Sequence, residues 1–179
     1  MIRGERGREA LTALDSIGDL LRTSLDAGGE QFVPLARELE LTRRYLAVEE
    51  LRLGDRLRVT IEAEPLLEQC EVPAFITQPL VENAMKHGIA ARTEGGSICV
   101  SARRGDAPGT LIVDVTDDGS GFDARSKAKR GVGIRHIEER LTALFDDAAH
   151  LEYSAPETGG TRARLVLPLE DDEAPEALA

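Results

Sequence analysis

The sequence predicts an α/β domain preceded by amphipathic helices, and three patterns support this fold class. Apolar residues recur at helical spacing in segments 9–25 and 34–53, and the period changes to strand-like alternation after Gly54. Beyond residue 55, strand-like and helix-like segments alternate as far as residue 169. A chain of 179 residues is long enough for one well-buried domain with an appendage, so we expect a single core with extra helices.

Two helices are predicted in the amino-terminal part of the chain. In the first, over residues 9–25, the apolar positions at helical spacing are Leu14, Ile17, Leu21 and Leu25. The second runs from about Pro34, which suits a first helical turn, and it carries leucines at seven-residue intervals at Leu39, Leu46 and Leu53. Such narrow apolar stripes fit packing within one chain and contact between two chains equally well. We assign residues 1–54 to this helical segment.

The α/β domain is predicted over residues 55–170. Leu57, Val59 and Ile61 alternate with charged residues as in a half-buried strand. The elements expected next are a helix over 73–87 that ends at Gly88, hairpin strands over 97–103 and 111–116, a helix from Ile134 to Leu144, and strands over 150–154 and 161–169. Residues 171–179 are acidic and have little to bury, which predicts a disordered tail.

Composition and charge argue against several classes of protein. The formal net charge of −11 disfavours nonspecific binding to nucleic acid, because a polyanion would be repelled. No apolar stretch approaches the roughly 20 residues that cross a bilayer, and the amino end lacks the apolar segment of a secretory signal. We therefore expect a cytoplasmic location without membrane contact by this segment, although a parent protein could be membrane-anchored. Cys70 and Cys99 lack CxxC spacing and lie in apolar surroundings, which predicts two buried reduced thiols.

A first group of polar residues lies on the helix predicted over 73–87. Asn83 precedes Lys86 and His87 by three and four residues, so an amide, an ammonium and an imidazole share one helical face. Because Mg²⁺ keeps several waters and binds through substrate phosphates, one amide oxygen is a sufficient protein ligand. The alternative is a solvated helix face with an ion pair between Glu82 and Lys86.

A second group, Asp117-Asp118-Gly119-Ser120-Gly121, directly follows an apolar strand. A carboxylate at a strand end can accept a hydrogen bond from an exocyclic amine, and glycines let the backbone approach a flat base. This pattern indicates an adenine pocket. The alternative is an Asp-Gly turn or a calcium loop, but the spaced acidic ligands of an EF-hand are absent.

A third group, Gly131-Val132-Gly133, opens the next predicted helix and follows a basic run with Arg125, Lys127, Lys129 and Arg130. Backbone amides at a helix amino end bind phosphate readily, and the glycines permit close approach. The basic run supplies counter-charge that the acidic chain as a whole does not. On its own, Gly-Val-Gly is weak, because the strand that a Rossmann turn requires does not precede it.

In order and spacing, the three groups resemble the N, G1 and G2 boxes of the GHKL ATPase superfamily. Over about residues 20–169, the chain is similar in particular to LytS-like sensor histidine kinases. The motifs that carry this similarity are YLAVE at 45–49, LGDRL at 53–57, Val72-Pro73, QPLVENA at 78–84 and GGT at 159–161.

The resemblance implies a Bergerat fold, an α/β two-layer sandwich with a mixed sheet and helices on one face. It implies ATP and Mg²⁺ as cofactors, with Asn83 as the metal ligand and Asp117 holding the adenine amino group. By the same resemblance, Gly119 and Gly121 would shape the base pocket and Thr161 would lie near the adenine. Residues facing the phosphates or sugar would be Lys86, His87, Gly131 and Gly133, joined by Lys129 and Arg130 of a mobile lid over 122–130.

Two features depart from the family pattern. These kinases carry a phosphoacceptor histidine in a Pro-His-Phe-type box, whereas this sequence has only His87, His136 and His150. We therefore expect the acceptor in a histidine-bearing dimerisation region outside this chain, a possible homodimer, and a response regulator as the downstream partner. Family ATPases also place a carboxylate one turn before the metal-binding Asn, where this sequence has Pro79. Rapid hydrolysis is not expected, and Glu82, with Lys86, is our candidate catalytic residue.

Two other functions fit the same motifs. A GHKL protein-serine kinase of the anti-sigma type needs no internal histidine, but the segments 45–49 and 53–56 argue against it. A nucleotide-sensing interaction module would dimerise through its amino-terminal helices and never transfer phosphate. The leading prediction is the ATP-binding catalytic domain of a sensor histidine kinase, a phosphotransferase that does not autophosphorylate as this segment.

Overall fold

The computed structural model describes residues 30–90, 92–121 and 132–169. The helix predicted over 9–25 and the tail over 171–179 lie outside these residues. In chain order the elements are β1 (Phe32–Pro34), α1 (Leu35–Leu53), β2 (Leu57–Ala63), β3 (Glu71–Pro73), α2 (Gln78–Asn83), a π-helical turn (Ala84–Ile89), β4 (Gly96–Arg104), β5 (Thr110–Asp117), α3 (Val132–Phe145), β6 (His150–Ser154) and β7 (Thr161–Pro168).

The main sheet has five strands in the order β2-β4-β5-β7-β6. Strands β2 and β4 are parallel, with Leu57 opposite Gly96, and the other neighbours in this sheet are antiparallel. A parallel pair cannot be joined by a tight turn, so the chain crosses over the sheet between β2 and β4. This crossover, residues 64–95, contains α2. A separate two-stranded ribbon joins β1 to β3.

Helices cover one face of the main sheet. On β4, Ile98, Val100 and Ala102 are buried while the alternate residues are half-buried, as expected for a strand with one face on a core. Leu80 of α2 and Leu141 of α3 belong to the same apolar cluster as these strand residues. The prediction of a mixed sheet with helices on one face is confirmed.

Helix α1 matches the predicted segment closely. Leu39, Leu46 and Leu53 are all buried, Pro34 is its N-cap, and Gly54, at φ 59, follows its last residue. These leucines lie in the same core as the main sheet, so α1 packs onto the α/β unit. The boundary at residue 54 between two segments stays a prediction from sequence.

The predicted helix over 73–87 begins too early and ends differently. Pro73 belongs to β3, where it pairs with Phe32, and the helix starts only at Gln78. Three-residue strands such as β3 show too little alternation to be recognised. Gly88 lies within the π-helical turn instead of ending the helix.

The later strands agree with the predicted ones within one or two residues, and the hairpin between β4 and β5 is confirmed by their antiparallel pairing. Cys70 and Cys99 are free thiols, but both are half-buried and not fully buried as predicted. In the three described stretches, no helix is both long enough and apolar enough to span a membrane.

Candidate functional site

Asp117 is a buried carboxylate at the carboxyl end of β5, where only 4% of the residue is exposed. It pairs with Thr161, the first residue of β7. The Gly119 amide donates to Asp117 Oδ1 at 2.9 Å, and the Thr161 amide donates to the same carboxylate. Burial raises the pKa of Asp117, although these hydrogen bonds oppose the increase. The carboxylate keeps acceptor capacity for a further donor such as an amine.

Three glycines pack directly around Asp117. A Cβ on Gly88 would lie 2.5 Å from Asp117 Oδ1, and a Cβ on Gly119 would overlap the backbone of Gly88. Gly160 has φ 82, and a Cβ there would meet the Asp117 carbonyl oxygen. Larger residues do not fit these positions without displacement of their neighbours. The π-helical turn after α2 therefore packs against the end of β5.

The neighbouring Asp118 is held differently. It accepts the Ser97 amide at 2.7 Å and the Ser97 hydroxyl, while Arg92 donates to its carbonyl oxygen. Burial alone would raise the pKa of Asp118, but the bonds from Ser97, with Arg92, outweigh it and lower the pKa. Asp118 thus fixes the loop that presents Asp117.

Asn83 is half-buried at the junction between α2 and the π-helical turn. Its carboxamide has no hydrogen-bond partner among the residues that the structure describes. Lys86 and His87 are exposed. The prediction of one shared face assumed α-helical spacing, whereas a π turn places more residues in each turn.

Glu82 is exposed and accepts a hydrogen bond from Gln78 Nε2 at 2.8 Å. Within the described ranges, no ion pair joins Glu82 to Lys86, so the ion pair considered as an alternative is not formed. Both charged groups are open to solvent and to a ligand.

The first two groups are in direct contact. The Ser120 hydroxyl donates to the His87 carbonyl at 3.2 Å, next to the contact between Gly88 and Asp117. Asn83 and Gly88 belong to one continuous helical segment, α2 and the π-helical turn that follows it. That segment therefore connects Asn83 to the contact between Gly88 and Asp117.

The start of α3 lies beside the first turn of α2. A Cβ on the exposed Gly133 would be 3.5 Å from Pro79 Cβ, an ordinary contact distance. Gly121, at φ 86, lies near the Gly160 carbonyl. Lys129, Arg130 and Gly131 are outside the described residues.

The arrangement fits a metal ion held mainly by its substrate. In the part of the chain that the structure describes, no three His, Cys, Asp or Glu side chains form a group that could hold a metal. Asn83, half-buried at the helix junction, would offer the one amide oxygen that suffices as a protein ligand when phosphates and waters complete the shell of a magnesium ion.

Four residues without a predicted site role shape this site: Gly88, Gly160, Asp118 and Arg92. Asp118 and Gly160 lie within the sequence motifs, and Gly88 is predicted only as a helix end, because a glycine after an apolar helix commonly marks its termination. The doubled aspartate was a usable signal for a second structural carboxylate. Nothing in the local sequence points to Arg92, since its contact with Asp118 spans 26 positions.

Residues 73–171 match the family model of histidine kinase-, DNA gyrase B- and HSP90-like ATPases, and residues 1–57 match a histidine kinase model. The chain belongs to the histidine kinase-, DNA gyrase B- and HSP90-like ATPase family. Within this ATPase family, its relatives are sensor histidine kinases, and the chain is an ATP-binding catalytic domain of that type.

Curated relatives of this type align with most of the chain. It is 26% identical over 175 residues to the sensor histidine kinase YesM of Bacillus subtilis, an alignment that covers 96% of the chain and 30% of YesM. It is 34% identical over 142 residues to the sensor histidine kinase BtsS of Escherichia coli, covering 79% of the chain and 25% of BtsS. It is 31% identical over 183 residues to the sensor histidine kinase/phosphatase LytS of Staphylococcus aureus, covering 96% of the chain and 30% of LytS. The chain therefore spans less than a third of these relatives.

Solved structures show the same fold. The histidine kinase domain of a blue-light activated histidine kinase from Erythrobacter litoralis superposes with a TM-score of 0.59 at 21% identity. The superposition covers 90% of this chain and 75% of that domain. The predicted Bergerat-type α/β architecture is thus found in a histidine kinase domain of known structure.

Proposed function

We propose that this domain binds ATP with Mg²⁺ and transfers the γ-phosphoryl group to a histidine in the dimerisation region of a sensor histidine kinase. The observation that carries the proposal is the buried Asp117 carboxylate, which packs against Gly88 and accepts the Gly119 amide, while the half-buried Asn83 lies on the same helical segment as Gly88. The three histidines of this chain, His87, His136 and His150, are all exposed and none lies on a predicted phosphoacceptor helix.

In this proposal Asp117 accepts a hydrogen bond from the adenine amino group. Gly119, which packs on the backbone of Gly88, and Gly121, near the Gly160 carbonyl, would shape the base pocket, and Thr161 would form the adjoining edge through its pairing with Asp117. A buried, ionised carboxylate strongly favours a ligand that places a hydrogen-bond donor against it, because a buried charge without a partner is costly.

Asn83 holds Mg²⁺, which neutralises phosphate charge when it is bound. Lys86 and His87 face the same phosphates, and Gly133 offers a backbone amide in the first turn of α3, a role that the family resemblance extends to Gly131. Lys129 and Arg130 of the preceding segment add positive charge. Most of the catalytic effect would come from positioning and charge neutralisation, as in phosphoryl transfer generally.

We assign a catalytic role to Glu82 and Lys86. A ring nitrogen of the acceptor histidine attacks the γ-phosphorus, the bond to the β,γ-bridging oxygen breaks, and ADP leaves with that electron pair. Lys86 stabilises the charge that develops on the phosphate oxygens. Glu82, exposed beside Asn83, accepts a hydrogen bond from the acceptor imidazole and takes the proton that this ring loses.

The proposal includes a downstream response regulator, a homodimer formed through the amino-terminal helices, and a cytoplasmic location for this domain. These partners follow from the family of the chain and from the match of residues 1–57 to a histidine kinase model.

The decisive experiment mixes the chain with a histidine-bearing dimerisation fragment and ATP labelled at the γ-phosphate. We expect label on the fragment that is labile in acid and stable in base, as phosphohistidine is, and much less label with Asp117→Asn at the same ATP concentration. Addition of the cognate response regulator should then remove the label. Tight ATP binding without labelled histidine would contradict kinase activity and indicate a nucleotide-sensing module, while acid-stable label on a protein acceptor would indicate a serine kinase.

A further inference from the structure

Glu38 is a buried carboxylate far in sequence from the candidate site. It lies on α1 and is only 1% exposed, although its charged neighbours on that helix face solvent. It accepts the amide of Phe75 at 2.6 Å and the amide of Thr77 at 3.2 Å. These amides belong to the N-cap residue of α2, Thr77, and to the turn before it, so Glu38 supplies from another helix the acceptor that the Glu or Gln at N3 of a capping box gives to the N-cap amide.

The turn 74–77 that Glu38 binds needs external support. Phe75 has φ 57, a left-handed conformation that costs free energy for a residue with a Cβ. The Thr77 hydroxyl is buried and has no hydrogen-bond partner within the described residues, so the turn is not held by its own N-cap side chain. The conformation therefore depends on contacts from neighbouring elements.

Arg140 of α3 holds the same turn from the other side. Its guanidinium donates to the Ala74 carbonyl and, at 2.9 Å, to the Gln31 carbonyl next to β1. The positive charge of Arg140 also acts on Glu38, whose pKa is raised by burial against the opposing effect of its hydrogen bonds and of this arginine. Three helices thus meet at one turn: α1 through Glu38, α2 through its first residues, and α3 through Arg140.

The helical segment formed by α2 and the following π-helical turn is fixed at its two ends by different groups. Its carboxyl end is held by the packing of Gly88 against Asp117 and Gly119. The amino end is held by Glu38 and Arg140. Asn83 lies between them, so a loosened amino end would tilt Asn83 while the base-binding end keeps its contacts.

We propose that Glu38 and Arg140 are positioning residues that fix the amino end of α2, and hence Asn83, for the metal-phosphate part of nucleotide binding. This inference rests on the proposed ATP·Mg²⁺ function and adds to it. It also gives a route by which movement of α1, the helix nearest the amino-terminal segment, reaches the phosphate end of the site.

The test compares Glu38→Gln with Glu40→Gln, a matched change on the same helix at an exposed residue that pairs with Arg44. Calorimetry gives the Kd for ATP with Mg²⁺ and with excess EDTA. For Glu38→Gln we expect the Kd with Mg²⁺ to rise about tenfold and the Kd in EDTA to change by less than about twofold, because a small misplacement near the chemistry has large effects. Glu40→Gln should match the wild type in both conditions.

Amide hydrogen exchange supplies a second readout. Exchange of the segment 74–80 should accelerate in Glu38→Gln while that of β5 stays protected, because the disturbance is local. Should Glu38→Gln fail to fold, Arg140→Gln serves in its place, with Arg135→Gln, an exposed residue on the same helix, as its control.

The outcomes separate the two proposals. If the wild type binds ATP and both Glu38→Gln and Arg140→Gln keep the wild-type ratio of the two Kd values, the positioning role is overturned and the proposed function stands. If the wild type binds no nucleotide, the proposed function fails and the positioning role fails with it. A uniform loss of affinity in both conditions, with a lower melting temperature, would show a general stabilising role instead.

Discussion

The α-carbon of Gly88 faces the carboxylate of Asp117 so closely that a methyl group on Gly88 would lie 2.5 Å from Oδ1 and 2.7 Å from Cγ. These residues come from different elements, the π-helical turn after α2 and the end of β5. Their contact joins the helix that carries Asn83 to the strand that carries the candidate base-binding acid. Perturbation of this one contact should therefore change both stability and nucleotide binding.

Substitution Gly88→Ala tests that contact. The added methyl group cannot be accommodated without movement of the Asp117 carboxylate, so we expect a loss of about 1–3 kcal/mol in the free energy of unfolding, typical of overpacking. Urea unfolding measures the stability and calorimetry measures the Kd for ATP, which should rise as the carboxylate shifts.

Gly133→Ala is the matched control for stability. Gly133 lies in helix α3, and its Cβ would make an ordinary 3.5 Å contact with Pro79 of α2. Alanine at position 133 should therefore be neutral or stabilise the fold by up to about 1 kcal/mol. Equal stability of the two alanine variants would contradict the close packing described for Gly88.

Substitution Asp117→Asn should weaken ATP binding about 10- to 100-fold, the effect expected when a hydrogen bond to a charged group is lost. The side-chain NH₂ of the new asparagine would also face the backbone and ligand donors that the carboxylate accepts, and two donors cannot pair with each other. Circular dichroism should show a folded protein, because the carboxylate is desolvated and its pKa is raised in the folded state. Unchanged calorimetric affinity would remove Asp117 from the site.

Substitution Asn83→Ala should abolish the gain in ATP affinity that Mg²⁺ provides, while affinity in EDTA stays near that of the wild type. The physical reason is that Asn83 contributes the only protein oxygen that we assign to the metal. Titration of ATP with and without Mg²⁺ measures the difference. Gln78→Ala changes a residue on the same helix that is not an assigned ligand, so this variant should retain the Mg²⁺-dependent gain. Loss of the gain in Gln78→Ala would contradict the assignment of Asn83.

The stability of the fold should depend on pH through Glu38. Its pKa in the folded protein is raised above the ordinary value of 4.5, so between that value and the raised one the folded state binds more protons than the unfolded state. This contribution stabilises the fold at the acidic end of the window and is lost as pH rises through the folded pKa. Asp117 acts in the same direction from 3.8 upward.

Urea unfolding at a series of pH values from 4.5 upward measures this dependence. The change in free energy of unfolding should be smaller in Glu38→Gln than in the wild type, because the titrating group is gone. Glu40→Gln should keep the wild-type slope. Asp118, whose pKa is lowered, acts only below 3.8 and in the opposite sense, so it does not disturb the comparison. Parallel curves for wild type and Glu38→Gln would refute the expected linkage.

The periodic parts of the fold were predictable because burial repeats along them. Leu39, Leu46 and Leu53 predicted α1, and alternation in β4 and β5 predicted their hairpin. The start of α2 was misplaced because the turn before it is set by Glu38, a residue about 40 positions away that no local pattern reveals.

The candidate site was predictable at the level of residues but not of supporting contacts. The short motif after an apolar strand predicts Asp117 and Gly119 at a strand end, although an Asp-Gly turn fits the same motif as an adenine pocket does. The part played by Gly88 could not be read from the sequence, because the π-helical turn that brings it onto Asp117 depends on tertiary packing.

Strands β2 and β4 run in the same direction, and the chain that links them, residues 64–95, has to travel across the sheet. Asn83 lies on this connection, so its helix is positioned only after β2 and β4, which are distant in sequence, have paired. Such nonlocal pairing is slow compared with hairpin closure. Ligand binding should consequently appear late during refolding. A truncation that removes β2 should abolish ligand binding even if the β4–β5 hairpin still forms.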